Sequence, residues 1–145
     1  MSTLQQHARR AAGVLALAAL LGACSHGPHH PGGHDVTLTG AQEVPANTST
    51  ASGSSTIRVA HDRSVSGGVR YTGMLATVAH IHEAPAGANG PVIMALLQTG
   101  AGMLAVPAGT LLTPPQYASY RAGNLYINVH SAAYPAGEIR AQLKP

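Results

Sequence analysis

Beyond residue 34, short runs of alternating apolar and polar residues recur, separated by clusters of Gly, Pro, Ser and Asn. Alternation places successive side chains on opposite faces of a strand, and many short strands at regular spacing are typical of a β-sandwich or barrel. The pattern therefore predicts one all-β domain over residues 35–145. Its predicted strands are Asp35–Thr39, Ser55–His61, Ser66–Thr72, Thr77–Glu83, Val92–Leu97, Asn124–His130 and Glu138–Leu143.

One segment departs from the alternation and predicts a short helix over about residues 113–122. Thr113 suits the N-cap, Pro114 the first helical position, and Gln116 completes a Thr-x-x-Gln capping box. Gly123 suits the stop after the last turn. The helix is expected to pack a Leu and Tyr face onto the β domain.

Residues 1–23 have the layout of a secretory signal peptide: basic residues, then an apolar run over 11–21, then small residues before Cys24. The run is shorter than the about 20 residues that span a bilayer. Leu21-Gly22-Ala23-Cys24 resembles the lipobox of bacterial lipoproteins, which implies cleavage before Cys24 and a lipid on its thiol. Ordinary secretion with a free thiol is the alternative.

Residues 24–34 are rich in Gly and Pro and are predicted to form a flexible tether from the lipid to the domain. The residue after the cysteine is Ser25 rather than the Asp expected of inner-membrane retention. The protein is therefore expected in the cell envelope, on the outer membrane facing the periplasm if the source is Gram-negative.

The composition argues against several classes of site and function. Cys24 is the only cysteine, which excludes an intramolecular disulfide and a cysteine-based zinc site. The net charge of +3 includes Arg9 and Arg10 of the signal, so the mature chain is close to neutral. With neither Trp nor Phe, it also has few stacking groups. Nucleic-acid binding is not expected.

Histidines carry the candidate chemistry. In a strand, His80 and His82 project from one face about 6.5–7 Å apart while Ile81 projects from the other. On the strand ending at His130, an apolar face leaves that imidazole on the opposite side with Tyr126 and Asn128. If the strands are neighbours, three imidazoles converge outside the barrel, a donor set that suits either copper or zinc. Surface or strand-end histidines without metal are the alternative.

Other histidines are candidate accessory ligands only. His61 ends the predicted strand Ser55–His61 on the same face as Ile57 and Val59, a position that favours a partly buried or strand-end side chain over a metal ligand. The tether histidines either capture metal loosely or are incidental to a polar spacer. They are His26, His29, His30 and His34.

Three longer motifs resemble the CHRD domain family. They are the stretch from His80 to Val92 (His-Ile-His-Glu-Ala-Pro-Ala-Gly-Ala-Asn-Gly-Pro-Val), the stretch from Gly123 to His130, and Tyr134-Pro-Ala-Gly-Glu-Ile-Arg140. The opening residues 38–45 and 51–53 also match, so the resemblance covers about residues 35–143.

The family layout is similar to that of copper/zinc superoxide dismutases, which implies a Greek-key barrel. On that resemblance His80, His82 and His130 match three copper ligands, and Arg140 could act catalytically by guiding an anion to the metal. A bridging histidine, a zinc loop and the dismutase cysteines are missing, so a zinc-bridged site is not supported.

Three functions follow as expectations. The first is an exported, lipid-anchored module that binds copper, or zinc, for metal handling or sequestration. The second is a copper-only superoxide dismutase, and the third is a metal-free structural or interaction domain.

Overall fold

The computed structural model describes residues 33–145. The chain forms eleven short strands and one α-helix in this range. The helix, α1, is Pro114–Arg121. The strands are β1 Val36–Thr39, β2 Ser52–Ser55, β3 Arg58–Val59, β4 Val65–Ser66, β5 Gly68–Thr72, β6 Ala76–Glu83, β7 Val92–Ala95, β8 Leu97–Gly100, β9 Met103–Ala105, β10 Leu125–Ser131 and β11 Ile139–Gln142.

Nine of these strands form one antiparallel sheet in the order β7-β6-β10-β11-β1-β2-β5-β9-β8. The two strands at its ends, β7 and β8, are joined in the chain by the single residue Leu96, whose N–H donates to the carbonyl of Ala79 at 2.9 Å. The sheet therefore curls into a nearly closed barrel. Strands β3 and β4 form a separate hairpin. The prediction of an all-β barrel with one short helix is confirmed.

The barrel interior is filled by the apolar half of each alternating strand. Ile81 of β6, Ile127 and Val129 of β10, and Ile139 of β11 are 0–1 % exposed. Leu38 of β1 belongs to the same buried cluster. Burial of apolar side chains is the main force that closes the barrel. Because the chain has neither Trp nor Phe, aliphatic side chains supply most of this buried surface.

Helix α1 has the predicted caps. The Thr113 side chain accepts a hydrogen bond from the Gln116 N–H, and the Gln116 side chain accepts one from the Thr113 N–H. Tyr120 is the buried residue of the helix. Ser119 hydrogen-bonds Glu83 at the end of β6, which ties the helix to the strand that carries His80 and His82.

Three predicted strands differ in the structure. The segment predicted as one strand over 55–61 is divided between the end of β2 and the short strand β3. Between these strands the Ser55 hydroxyl accepts a hydrogen bond from the Ile57 N–H, which closes a local turn. The prediction over 66–72 is interrupted at Gly67, and that over 92–97 at Leu96, where the chain passes from one sheet edge to the other. Strand β9 has three residues, too few for alternation to indicate a strand.

The predicted signal peptide, the lipid attachment site Cys24 and the tether histidines His26, His29 and His30 lie outside the described residues. Within residues 33–145, no helix has the length and apolar character needed to cross a membrane.

Candidate metal centre

Three imidazoles converge on the outer face of the barrel. The ring centroids of His80 and His130 are 5.1 Å apart, those of His80 and His82 are 5.6 Å apart, and those of His82 and His130 are 6.3 Å apart. One nitrogen of each ring lies within 4.8 Å of the other two. The convergence predicted from alternation is confirmed, and within residues 33–145 this is the only group of three or more His, Cys, Asp or Glu side chains close enough to hold one metal ion.

Strand pairing explains why the three rings meet. Strands β6 and β10 are antiparallel neighbours, with His82 opposite Tyr126, His80 opposite Asn128, and Val78 opposite His130. Side chains opposite each other project to the same face. Since Ile81 and Ile127 fill the interior, the histidines lie outside it, with His130 diagonal to His80.

Two of the imidazoles are anchored by backbone carbonyls. His82 Nδ1 lies 3.0 Å from the Gly90 oxygen, and His130 Nδ1 lies 2.9 Å from the Pro135 oxygen. A carbonyl only accepts hydrogen bonds, so each Nδ1 carries the proton and each Nε2 carries the free lone pair. This is the arrangement of metal-ligating histidines, which donate their second N–H to a carbonyl or carboxylate.

The remaining ring nitrogens face one another, and because His130 Nε2 is unprotonated, it accepts a hydrogen bond from His80 Nδ1. His80 Nδ1 lies 3.2 Å from His130 Nε2, and His82 Nε2 is buried without a hydrogen-bond partner within the described part of the chain. Two nitrogens bound to one ion at about 2.0–2.1 Å are at most about 4.2 Å apart. The 4.8 Å span of the cluster therefore needs only a small side-chain adjustment to hold an ion.

The surroundings keep two of these rings neutral. Burial lowers the pKa of His80 below its usual value, and His130 and His82 lower it further. Burial also lowers the pKa of His82, aided by His130 and Arg140 and opposed by the Gly90 carbonyl. Because a metal binds the unprotonated nitrogen, neutral rings at pH 7 suit a ligand set.

The sequence matches the model of one protein family, the CHRD domain, over residues 35–143. The chain belongs to the CHRD family. No curated protein and no solved structure matched it. The three histidines therefore lie within a CHRD domain, on its outer face.

The other predicted site residues within residues 33–145 lie outside the histidine cluster. His61 is exposed in the turn between β3 and β4, and His34 is exposed at the start of the described chain. Neither belongs to the histidine cluster. Arg140 is 2 % exposed, and its guanidinium donates to the Ala88 carbonyl at 2.7 Å and to Asn89 Oδ1 at 3.0 Å.

Two neighbours of the centre have contacts that the sequence did not indicate. Asn128, opposite His80, is buried and donates from Nδ2 to both carboxylate oxygens of Glu43 at 2.7 and 2.9 Å. Burial raises the pKa of Glu43 to about 7, against Arg140 and hydrogen bonds from Val44 and Asn128, which lower it. Alternation placed Asn128 beside His130, but nothing local connects it to a carboxylate 85 residues away.

Proposed function

We propose that this CHRD protein binds one copper ion through His80, His82 and His130 and serves metal handling or sequestration. The observation that carries the proposal is the pair of carbonyl anchors, which leave the Nε2 lone pairs of His82 and His130 within the cluster, where His130 Nε2 contacts His80 Nδ1 at 3.2 Å. The buried His82 Nε2 has no other partner within residues 33–145. An unpaired buried nitrogen costs free energy that a bound metal would recover.

Copper is preferred over zinc because of the donor set. Three imidazole nitrogens with no thiolate and no carboxylate in the cluster suit copper, which also binds nitrogen ligands more tightly than zinc does. The bound ion would supply redox chemistry, while the chain's own residues hold and orient the ligands. Export and lipid attachment through Cys24 belong to the same proposal and would place the domain at a membrane surface in the cell envelope.

The test is metal binding by the chain from Ser25 onward, titrated with copper against a competing chelator. We expect about one tightly bound ion per chain and loss of that site in each of His80→Ala, His82→Ala and His130→Ala. His61→Ala is the matched control, because His61 is an exposed histidine outside the cluster. Stoichiometric tight copper in the triple variant would contradict the proposal, as would protein from copper-supplemented cells that contains no metal.

A copper-only superoxide dismutase is the second candidate, favoured by the partial exposure of His80 and His130, which gives solvent access to the centre. Three protein ligands leave a coordination position for an anion. Guidance of that anion by Arg140 stays a prediction, and the guanidinium is buried against residues 88–89. Superoxide consumption by the copper-loaded protein no faster than by free copper complexes would reject this candidate.

A further inference from the structure

Tyr126 lies between a candidate metal ligand and a buried charge. Its ring is stacked on the His82 imidazole, with centroids 4.7 Å apart and planes 8° from parallel. The Cζ atom of Arg140 lies 3.5 Å from the centroid of the same ring. Tyr126 is 3 % exposed and Arg140 is 2 % exposed, so the ring is fixed on both sides within a water-poor environment.

The same tyrosine and His82 bind one residue of the covering loop, residues 84–91. The Gly90 carbonyl accepts from His82 Nδ1 at 3.0 Å, and the Gly90 N–H donates to the Tyr126 hydroxyl at 3.2 Å. Together with the ring stacking, these bonds form a closed set of contacts among His82, Gly90 and Tyr126. Rotation of the His82 ring would break the hydrogen bond and the stacking together.

Arg140 supports this set from the far side of Tyr126. Its guanidinium bonds Ala88 and Asn89 of the covering loop, and the Asn89 amide donates to the Val44 carbonyl at 2.7 Å. A cation over an aromatic face attracts the ring, more strongly when both are desolvated. The guanidinium thus fixes the Tyr126 ring from one face while His82 stacks on it, and it holds the loop that supplies the Gly90 carbonyl.

Within residues 33–145, neither of the other two histidines stacks on a tyrosine. His80 has edge contacts with His82 and His130 and a hydrogen bond to His130 Nε2, and His130 has its carbonyl anchor. Of the three rings, His82 is therefore the one fixed in both plane and tautomer before a metal arrives.

We infer that Tyr126 is a positioning residue for metal binding: stacked between Arg140 and His82, it holds the imidazole with Nε2 directed into the cluster. The inference rests on the proposed metal-binding function, yet part of it concerns the metal-free chain and is measured there. Supporting contacts of this kind change metal affinity about 10–100-fold when they are removed.

The experiment compares Tyr126→Leu, which removes the stacking and the hydroxyl, with Tyr126→Phe, which removes only the hydroxyl. Tyr117→Leu is the control, because Tyr117 is a partly buried tyrosine of α1 whose ring stacks on Tyr120. Nitrogen-15 NMR of the metal-free chain reports the His82 tautomer. Copper titration and electron paramagnetic resonance report affinity and ligand geometry.

In the metal-free wild type and Tyr117→Leu we expect one His82 tautomer with the proton on Nδ1. Tyr126→Leu should show both tautomers, about tenfold weaker copper binding and an altered copper spectrum, while Tyr126→Phe stays within about threefold of wild type. A single Nδ1–H tautomer with unchanged affinity and spectrum in Tyr126→Leu would overturn the inference. If that variant does not fold, Tyr126→Phe decides: faster exchange of the Gly90 amide supports the inference, and an unchanged rate overturns it.

The two proposals fail in different ways. A wild-type chain that binds no copper would refute the proposed function, while the His82 tautomer in the metal-free chain would still test the role of Tyr126. A chain that binds copper but keeps its affinity, spectrum and tautomer in Tyr126→Leu would refute only the positioning role.

Discussion

Two outward-facing polar surfaces of the barrel follow the same alternation but differ in what covers them. On β1, β2 and β5, Thr37, Ser54 and Arg70 lie opposite one another and are exposed. On β10 and β11, Tyr126, Asn128 and Arg140 also face away from the interior, yet they are only 2–3 % exposed. We call these the open face and the covered face.

Loops make the difference between the two faces. Residues 88–90 contact Arg140, Tyr126 and His82. Glu43 contacts Asn128, and Pro135 contacts His130. Alternation thus determines the side of the sheet on which a side chain lies, whereas the loops determine whether that side is exposed to solvent. Burial makes an unpaired polar group on the covered face costly, and within residues 33–145 the buried side-chain atoms without a hydrogen bond are His82 Nε2 and Asn128 Oδ1, both at this face.

The largest expected effect on stability comes from replacing the arginine of the covered face with methionine, compared with the same replacement on the open face. Arg140→Met removes two hydrogen bonds from a buried cation and leaves the Ala88 carbonyl without its donor. We expect a loss of about 3 kcal/mol in the free energy of unfolding. Arg70→Met on the open face should change it by less than about 0.5 kcal/mol, because that guanidinium is exposed and contacts only the Met103 sulfur.

Urea denaturation of both variants in the metal-free state measures this difference directly. Equal losses for Arg140→Met and Arg70→Met would mean that the loops do not bury the covered face as described.

A smaller effect is expected from disturbing the cover itself. A Cβ at Gly90 would lie 1.9 Å from the Glu83 carbonyl oxygen, so Gly90→Ala must displace the covering loop. We expect a loss of about 2 kcal/mol and weakening of the His82 anchor. Gly87→Ala in the same loop meets no atom within 4 Å, and its positive φ of 79° costs only about 1 kcal/mol.

Thermal or urea unfolding compares the two glycine variants, and the His82 Nδ1–H resonance shows whether the anchor survives. A Gly90→Ala protein as stable as Gly87→Ala, with that resonance unchanged, would show that the close approach of Gly90 to Glu83 is not needed to cover the face.

Local patterns predicted much of this molecule. Alternation along β6 and β10 correctly placed Ile81 and Ile127 inside, with His80, His82 and His130 outside, and the capping residues of α1 predicted that helix. These predictions succeed because they depend on residues within one or two turns or strand positions of each other.

The covered character of the site could not be predicted in that way. Arg140 follows the inward-facing Ile139, an alternation typical of a surface side chain, but its burial depends on residues 88–89, about fifty positions earlier in the chain. Glu43 meets Asn128 across 85 residues. The carbonyl of Gly90 is a backbone group that any residue type offers. Such contacts depend on the path of the loops, which periodicity does not encode.

The covered face also gives a pH dependence that the open face lacks, carried by Glu43. Burial raises the pKa of Glu43 from 4.5 to about 7. Between about pH 4.5 and about pH 7, the Glu43 carboxyl is therefore protonated in the folded chain and ionised in the unfolded chain. The contribution of this carboxyl to stability is therefore fully present below about pH 4.5 and is lost as the pH rises through about 7. We expect a decline of about 2 kcal/mol between about pH 5 and about pH 7.

Glu43→Gln isolates this contribution, because the contributions of His80 and His82 are the same in both proteins. Their lowered pKa values act in the opposite direction, adding stability as the pH rises towards 6.5. The difference in unfolding free energy between wild type and Glu43→Gln should therefore change with pH. For Asp62→Asn the difference should be flat, because Asp62 is an exposed carboxyl whose pKa is lowered below 3.8 by Ser64. A flat difference for Glu43→Gln as well would mean that water reaches Glu43, and that the covered face is open on the side of Asn128.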